Sequence, residues 1–405
     1  MRIAYIVPYV PNLIRTRSYN LINQLTALGH EVTVFTLGSS QGDLIDAHSL
    51  KGHSRDVNYY VQPIWRSLLN SALTLPSGKP LQSVYSWQPA MARQIAERAS
   101  RNEFDIVHIE HLRGSRFGLF LKSKLPNMPV VWDSVDCISH LFQQASKQSG
   151  SFFGKFITGF ELGRTRRAEG NLVCQFDHVL VTSPSDKNAL VELVPSGKSQ
   201  SEISVVPNGV DQEYFHPNPE YRRDSETIVF SGKMSYHANI SMAQYLVEEI
   251  MPRIWKFRPA ARLYIVGKDP APVIKKMAQN PLITVTGTVD DIRPFLWRAT
   301  VSVVPLLYGA GIQNKILEAM ATGTPVVTTY QALSALQAQP GKDIFASDDP
   351  DGFSQAVLQL LANRDLQQKT GEAGVTYVRA FHSWASITSQ LVNVYQQTVD
   401  SKKLS

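Results

Sequence analysis

The chain has 405 residues, of which 43% are hydrophobic and 18% are charged, and its formal net charge is +6. This composition is globular rather than disordered, and the length exceeds one ordinary core, so two domains are expected. Basic residues are spread along the chain without a zinc-finger, RRM or helix-turn-helix pattern, so we expect no nucleic-acid partner. The only two cysteines, Cys137 and Cys174, lie in neither a CxxC nor a His-rich cluster. They indicate no disulfide framework and no zinc site, and they favour a reducing compartment.

The amino-terminal segment does not have the pattern of a signal peptide, because Pro8 and Pro11 interrupt its apolar run. No uninterrupted apolar run approaches the roughly 18 residues that span a bilayer. We therefore expect a cytoplasmic protein, with peripheral contact at the inner membrane face as an open alternative.

The first half of the chain alternates between apolar strands and amphipathic helices. The strand RIAYIVPY is followed by a loop, the helical pattern SYNLINQLTALGH and the strand EVTVFTL. Further strands are predicted at FDIVHIEH, MPVVWDSVD and FDHVLVTS. Helices between nearly continuous apolar strands are typical of a parallel sheet covered on both faces.

The second half begins the same order again. The strand TIVFSGK leads through a loop to the helix ISMAQYLVEEIMPRIWKF and the strand ARLYIVGK, and ITVTGTV, ATVSVVPLL and GTPVVTT follow. We predict an α/β protein with two doubly wound, Rossmann-like domains, one at 1–205 and the other at 206–384. Ligands of such sheets bind beyond the carboxyl ends of the strands, so we expect the site in a cleft between two facing domains.

The stretch VSVVPLLYGAGIQNKILEAMATGTPVVTT is the strongest candidate for chemistry. Gly309 and Gly311 free the backbone past a strand, and a helix is predicted from near Ile312. A helix amino end suits a phosphate, to which Lys315 would add a full charge, whereas the Glu318 carboxylate suits hydroxyl groups. The alternative is an ordinary surface pair of Lys315 with Glu318, but the buried strands on both sides favour function.

Several segments in the second half resemble a known family in order and spacing. They are VVPNGVDQEYFHP, LYIVGK, ITVTGTVDDIRPFLWRATVSVVPL and KILEAMATGTPVVTT. From about Ser204 to Trp384 the chain resembles the nucleotide-sugar half of family-4 retaining glycosyltransferases of GT-B fold. The first half resembles the acceptor domain of that family more weakly, and the resemblance implies that a helix at about 385–405 completes that domain. The segments RTRSYNLI, KMSYHAN and GIQNKILEAMA look most like its bacterial, exopolysaccharide-associated branch.

The resemblance implies roles for the donor-binding residues. Glu318 matches the glutamate that holds the ribose, Lys233 lies where a basic residue meets the diphosphate, and Gly287, Thr288 and Val289 lie where backbone groups meet the base. The turn from Gly309 to Ile312 matches the segment that contacts the diphosphate and the donor sugar.

The chain departs from the family pattern at two places. Ala310 stands where the family commonly has a second glutamate near the donor sugar, and Gln313, Asn314 and Lys315 are the residues that could compensate. The segment VPNLIRTR replaces the usual glycine-rich loop after the first strand.

Candidates for the acceptor side follow strands of the first half. His111 comes directly after DIVHIE, where the family has a histidine that faces the reacting sugar; a capped core histidine is the alternative. Arg15 and Arg17 could reach the diphosphate or lie in a solvated loop. Asp133 and Asp136 could bind acceptor hydroxyls or cap a helix. His108, within its strand, is assigned to packing.

The segment SGSFFGKFITGFELGRTRRAEG is aromatic and basic at helical spacing. It could lie on an anionic membrane, but a core helix with a solvated basic face is the favoured interpretation.

Together these features predict a metal-independent retaining glycosyltransferase without a cofactor. Its partners would be a nucleoside-diphosphate sugar and a glycan, lipid-linked or small-molecule acceptor. Another GT-B enzyme, such as an epimerase or phosphorylase, and a non-catalytic sugar-nucleotide-binding subunit stay open as alternatives.

Overall fold

The computed structural model describes residues 1–12, 15–148, 152–309 and 311–404, with side chains throughout except at 145–148, 152–158 and 404. By the density of its internal contacts the chain divides into two compact units. Unit 1 comprises Met1–Pro207 and Trp384–Ser405, and unit 2 comprises Asn208–Ser383.

In its described residues, unit 1 is built on a seven-stranded sheet in which every paired strand is parallel. The strands are β1 (Arg2–Val7), β2 (Glu31–Gly38), β3 (Asp56–Val61), β4 (Ile106–Glu110), β5 (Val130–Val135), β6 (His178–Val181) and β7 (Glu202–Val205), and their order is β3-β2-β1-β4-β5-β6-β7. The central strands are apolar on both faces because helices cover both faces, which is why they occur as continuous hydrophobic runs.

The helices of unit 1 connect these strands. They are α1 (Thr16–Ala27), α2 (Gln41–Ser49), α3 (Ile64–Thr74), α4 (Leu81–Tyr85), α5 (Pro89–Ser100), α6 (His111–Lys124), α7 (Ile138–Gln148), α8 (Phe152–Val173) and α9 (Pro184–Val191), with short 3-10 turns at Leu50–Gly52 and Leu75–Ser77. The last helix of the chain, which we call α18 (Trp384–Leu404), also belongs to unit 1. Its residues Trp384, Ile387 and Leu391 pack in one core with Ile3 and Leu21.

Unit 2 has a six-stranded parallel sheet in its described residues, with the order β10-β9-β8-β11-β12-β13. The strands are β8 (Thr227–Ser231), β9 (Arg262–Val266), β10 (Ile283–Gly287), β11 (Val301–Val304), β12 (Val326–Thr328) and β13 (Phe345–Ala346). The helices are α10 (His237–Tyr245), α11 (Met251–Trp255), α12 (Pro272–Met277), α13 (Arg293–Arg298), α14 (Asn314–Ala321), α15 (Tyr330–Leu333), α16 (Pro350–Ala362) and α17 (Arg364–Phe381).

The helix predicted as one continuous element after β8 is interrupted by a π-helical segment, Leu246–Ile250, between α10 and α11. Pro252 lies in the first turn of α11. Because proline has no N–H to donate and its ring crowds the carbonyl four residues earlier, the helix widens directly before it.

In both sheets the strand order reverses at one place, between β1 and β4 in unit 1 and between β8 and β11 in unit 2. The structure confirms the predicted pair of doubly wound, Rossmann-like parallel sheets. Ligands of such sheets bind at the carboxyl ends of the strands beside the reversal. The ends of β1 and β4 and the ends of β8 and β11 are therefore the two candidate sites.

Within the described residues, no helix is both long and apolar enough to cross a membrane. The aromatic and basic segment singled out in the sequence begins outside the described side chains and continues as helix α8. In the described part, Glu161, Thr165 and Glu169 are buried, whereas Arg166 and Arg167 are exposed. This half of the helix thus has a buried polar side and a solvated basic side.

Candidate functional site

Two glycines shape the carboxyl end of β8. Gly232 and Gly267 have φ angles of 148° and 147°, a region that residues with a side chain rarely adopt. A Cβ atom on Gly267 would lie 1.7 Å from the carbonyl oxygen of Gly232. The two backbones therefore pack directly against each other, and the space beyond β8 stays open to other groups.

The side chain of Lys315 fills part of that space. Its residue is only 9% exposed, and its Nζ donates a hydrogen bond to Asn239 Oδ1 at 2.5 Å. Nζ also lies 4.8 Å from the centre of the Phe230 ring and 3.1 Å from where a Cβ atom of Gly232 would be. The ammonium group is thus held at the end of β8, directly at the strand reversal of unit 2.

Within the part of the chain that the structure describes, no carboxylate forms an ion pair with this ammonium to balance its burial. Burial lowers the pKa of Lys315 to about 7, and the carboxylate of Glu318 opposes that shift. Burial likewise raises the pKa of Glu318 to about 7, and Lys315 opposes that shift through space, without a hydrogen bond between the two side chains. Both groups would gain from a ligand that supplies the missing partner, an anion for Lys315 and hydroxyl donors for Glu318.

The glycine-containing turn precedes α14 as predicted, but the helix begins at Asn314 rather than near Ile312. Gln313 is its N-cap residue, and Ile312 is buried. Lys315 therefore lies in the first turn, where backbone N–H groups have no acceptor inside the helix. Gly309 and Gly311 have φ angles of 147° and 75°. Ala310 lies outside the described residues.

Side-chain contacts hold the two ends of this turn. The carbonyl oxygen of Gly309 accepts a hydrogen bond from Gln331 Nε2 at 2.9 Å, and Asn314 Oδ1 accepts one from Asn208 Nδ2 at 3.3 Å. Just before the turn, the Tyr308 ring stacks on His237 of α10. The turn is therefore fixed at the carboxyl end of β11 by contacts from three other segments of unit 2.

The other predicted donor residues lie around the same strand ends. Lys233 is exposed directly after Gly232, and its carbonyl oxygen accepts a hydrogen bond from Asn239 Nδ2 at 2.8 Å. Gly287 ends β10 with a φ angle of 71°, and Thr288 and Val289 follow it. Asn239 thus contacts both predicted lysines, the side chain of Lys315 and the backbone of Lys233.

In unit 1 the strand reversal holds a second polar group, formed by Tyr9, Glu110 and His111. The Tyr9 hydroxyl donates a hydrogen bond to Glu110 Oε1, and His111 Nε2 lies 3.1 Å from the Tyr9 oxygen. Glu110 is fully buried and also accepts a hydrogen bond from the Tyr5 hydroxyl at 3.1 Å. Because the Tyr9 proton is committed to Glu110, His111 donates from Nε2 and its Nδ1 is left as an acceptor.

The backbone of His111 is held in an unusual conformation. Its φ angle is 64°, and its carbonyl oxygen accepts a hydrogen bond from Trp132 Nε1 at 3.2 Å. Burial lowers the pKa of His111, whereas the Glu110 carboxylate opposes the shift. Left-handed conformations of residues other than glycine persist where the surroundings enforce them, often at functional sites.

Arg17 and Asp133, two residues predicted for the acceptor side, form a buried ion pair. Arg17 Nε and Nη2 donate to Asp133 Oδ2 at 3.0 and 2.7 Å, and the side chains are only 7% and 0% exposed. The two side chains thus satisfy each other inside unit 1, and their contacts with an acceptor or a diphosphate stay predictions. His108 packs against them: it is fully buried, stacks on Tyr5, and burial lowers its pKa to about 4.

Asp136 and Arg15 lie nearer the surface of unit 1. Asp136 accepts a hydrogen bond from Thr182, and burial together with the neighbouring Asp186 carboxylate raises its pKa. Neither Asp133 nor Asp136 caps α7, because Glu169 accepts the hydrogen bonds of the N–H groups at the start of that helix. The Arg15 guanidinium lies 4.9 Å from the centre of the Tyr9 ring, beside the Tyr9–Glu110–His111 group.

Sequence analysis missed three residues that build these two places. Asn239, the last residue of the segment KMSYHAN, accepts the hydrogen bond of Lys315 Nζ with its side-chain amide oxygen. Tyr9 is the last residue of the predicted strand RIAYIVPY, and Glu110 precedes His111 in DIVHIEH. Polar residues at both predicted strand ends are the signal that could have identified the pair. Among the described residues no three histidine, cysteine, aspartate or glutamate side chains are grouped to hold a metal ion.

Two family models match the chain. One, described as Glycosyltransferase Family 4, matches residues 14–214, and the other, described as glycosyl transferases group 1, matches residues 225–363. The chain belongs to glycosyltransferase family 4. It is a glycosyltransferase.

The similarity of this glycosyltransferase to known proteins extends over nearly its full length. The phosphatidyl-myo-inositol mannosyltransferase of Mycolicibacterium smegmatis is 24% identical over 411 residues, which cover 98% of this chain and 94% of that protein. The sucrose-phosphate synthase of Thermosynechococcus elongatus has a TM-score of 0.74 at 18% identity, covering 99% of this chain and 100% of that one. Anabaena HepE in complex with UDP and glucose has a TM-score of 0.70 at 14% identity, covering 98% and 100%. These structures confirm the GT-B fold.

We predict that Asp133→Ala lowers the free energy of unfolding by about 3–5 kcal/mol, because it leaves the buried Arg17 guanidinium without its carboxylate. Glu97→Ala is the matched control, since Glu97 pairs with Arg101 in an exposed ion pair whose loss costs at most about 1 kcal/mol. Urea unfolding of the two variants measures both effects. If Asp133→Ala is as stable as the unchanged protein but has a changed KM for the acceptor, Asp133 contacts the acceptor instead.

We predict that the gain in stability of Lys315→Met over the unchanged protein shrinks as the pH rises from 7 to 10. The pKa of Lys315 falls from 10.5 to about 7 on folding, so its charge penalises the folded state fully below pH 7. Above pH 7 the unfolded chain still binds this proton and the folded chain does not, so the penalty fades. Urea unfolding at several pH values measures the difference. Lys233→Met, at an exposed lysine, should show no such trend, and a flat profile for Lys315→Met would contradict the burial of its charge.

Proposed function

We propose that this glycosyltransferase is a retaining, metal-independent enzyme. It would move a sugar from a nucleoside diphosphate, bound on unit 2, to a hydroxyl group of a glycan, lipid-linked or small-molecule acceptor bound on unit 1. The observation that carries the proposal is the buried ammonium of Lys315 at the carboxyl end of β8.

The donor diphosphate is the anion that fits this ammonium. A buried lysine whose pKa is lowered to about 7 regains its charge most readily when an anion binds beside it. The amino end of α14 adds partial positive charge from the same side, because Lys315 lies in its first turn. Lys233, exposed after Gly232, would supply a second cation.

The nucleoside would extend from the diphosphate along the strand ends of unit 2. Glu318 lies one turn deeper in α14 than Asn314, and its carboxylate would accept hydrogen bonds from the two ribose hydroxyls. The backbone at Gly287, Thr288 and Val289 would meet the base. Asn314, Gln313 and the turn at Gly309 and Gly311 would contact the donor sugar.

Catalysis would depend on charge stabilisation in the transition state. As the bond to the sugar breaks, negative charge grows on the leaving diphosphate, and Lys315, Lys233 and the α14 amino end oppose it. We propose that these protein groups replace a divalent ion and that no cofactor takes part. The acceptor hydroxyl would then attack from the face that the diphosphate leaves and give its proton to the departing phosphate oxygen. Attack on that face retains the configuration.

His111 is the residue we propose to orient the acceptor or the reacting sugar. Its Nδ1 atom is the acceptor that the Tyr9–Glu110 pair leaves available, so it can receive a hydrogen bond from a sugar hydroxyl. His111 also lines a cavity of about 200 Å³ in unit 1, together with Tyr9, Gln82 and Arg113.

The acceptor class has support from the relatives of this chain, because one of them is a phosphatidyl-myo-inositol mannosyltransferase, whose name indicates a lipid acceptor. We propose a lipid-linked or glycan acceptor, with exopolysaccharide assembly as one such use. Both cysteines are free thiols, which supports a cytoplasmic location.

We predict that Glu318→Ala weakens the binding of a nucleoside diphosphate by about 1–3 kcal/mol, because the ribose hydroxyls lose their acceptor. Isothermal titration calorimetry measures the affinity, after a thermal-shift screen has selected the base. Glu248→Ala is the control, since Glu248 is an exposed glutamate of the same unit. Unchanged affinity in Glu318→Ala would remove the ribose contact from the proposal.

We predict that Lys315→Ala lowers kcat by about a hundredfold or more if its charge stabilises the leaving diphosphate. Release of nucleoside diphosphate from the selected donor sugar measures kcat. Lys275→Ala, at an exposed lysine of α12, should leave kcat unchanged. An effect confined to the KM for the acceptor would assign Lys315 to another role.

A further inference from the structure

Helix α3 exposes its apolar side to solvent. Five large apolar side chains of this helix are between 48% and 73% exposed, and they are Ile64, Trp65, Leu68, Leu69 and Leu73. At 100° per residue they occupy one half of the helix surface. A surface helix of a globular protein normally turns this half toward the core.

The polar half of α3 faces the protein instead. Ser67 is only 1% exposed, and its Oγ accepts a hydrogen bond from Gln62 Nε2 at 3.3 Å. On the next turn, Asn70 Nδ2 donates to the carbonyl oxygen of Trp87 at 3.0 Å. The helix is therefore fixed to unit 1 by polar contacts, and its orientation leaves the apolar half without a partner among the described residues.

Two neighbouring residues extend this surface. Leu75, in the 3-10 turn after α3, and Phe160 of α8 are both exposed. Arg164 joins them, since its Nη2 donates to the carbonyl oxygen of Leu75 at 2.8 Å and its guanidinium lies 3.9 Å from the centre of the Phe160 ring. We call the surface formed by the five α3 side chains with Leu75 and Phe160 the α3 apolar face.

The stretch of chain that forms most of the α3 apolar face carries basic residues and no acidic ones. The sequence contains no aspartate or glutamate between positions 57 and 96, whereas Arg66 and Lys79 lie within the same stretch. On α8 the exposed side chains near Phe160 include Arg166 and Arg167. The carboxylate of Glu161 on that helix is turned inward, where it accepts the N–H of Leu81 at 2.9 Å.

We propose that the α3 apolar face docks this glycosyltransferase on the surface of an anionic lipid bilayer. An apolar helical face that carries a tryptophan and is bordered by cations is what lies in the boundary between headgroups and acyl chains. The apolar side chains would enter that boundary, and Arg66, Lys79 and the α8 arginines would meet the lipid phosphates.

The docking surface adjoins the predicted acceptor side of unit 1. Ile64 and Ser67 of α3 line a cavity of about 160 Å³ together with Tyr9, Arg15 and Arg113. A lipid-linked acceptor is the substrate class that fits this position, and that last step alone rests on the proposed function. Binding to lipid can be measured without any transfer reaction, so the two proposals fail separately.

The test is sedimentation of the full chain with vesicles of phosphatidylglycerol and phosphatidylcholine in equal parts, compared with vesicles of phosphatidylcholine alone. The unchanged protein should bind the anionic vesicles at least about tenfold more tightly. The triple variant Trp65→Ser, Leu69→Ser, Leu73→Ser should lose about a hundredfold or more of that binding. Phe257→Ser is the matched control, because Phe257 belongs to unit 2 and is as exposed as Trp65, at 66%. The Phe257→Ser variant should bind the vesicles as tightly as the unchanged protein does.

The charge-reversal variant Arg66→Glu, Lys79→Glu keeps the apolar side chains and provides a second test. It should lose most of the preference for anionic vesicles, and its thermal unfolding should match that of the unchanged protein. The proposal is overturned if the unchanged protein does not bind anionic vesicles, or if the folded triple variant binds them equally well. It is also overturned if light scattering shows a dimer that the triple variant breaks, because a second copy of the chain would then cover the face.

Discussion

The donor side of this glycosyltransferase depends on one unfavourable interaction, the burial of the Lys315 ammonium at the end of β8. Asn239 supplies only a neutral acceptor, and Glu318 acts through space, so the charge is poorly compensated in the structure. A site with a buried and poorly compensated cation favours the binding of an anion, because the anion supplies the negative charge that the protein does not place beside the cation. The glycines at 232 and 267 make room for it.

Unit 1 uses its own strand reversal in a different way. There the buried carboxylate of Glu110 is satisfied by Tyr5 and Tyr9, and the chain of hydrogen bonds ends on His111. This group has hydrogen-bonding capacity, and the buried Arg17 of unit 1 is already paired with Asp133. Such a site suits hydroxyl groups rather than phosphates. The two equivalent positions of the fold thus carry different chemistries, and the proposed division into donor and acceptor units follows from that difference.

The strands other than β3, β7 and β13, and the turn before α14, could be predicted from the sequence, because continuous apolar runs and glycines act locally. The partners of the candidate residues could not. Lys315 meets Asn239 from 76 positions away, and Arg17 meets Asp133 from 116 positions away. A charged residue near a strand end can face a ligand or a buried partner, and only the packing decides which. The side that α3 turns to solvent likewise depends on contacts outside the helix, those of Ser67 with Gln62 and of Asn70 with Trp87.

The central claim is that a diphosphate binds beside Lys315, at the carboxyl end of β8. A crystal structure of the chain with its preferred nucleoside diphosphate tests it most directly. The account predicts a phosphate oxygen about 3 Å from Lys315 Nζ, with the amino end of α14 directed at the same group. A nucleotide bound elsewhere in the molecule, with Lys315 still enclosed by Asn239 and Phe230, would contradict it.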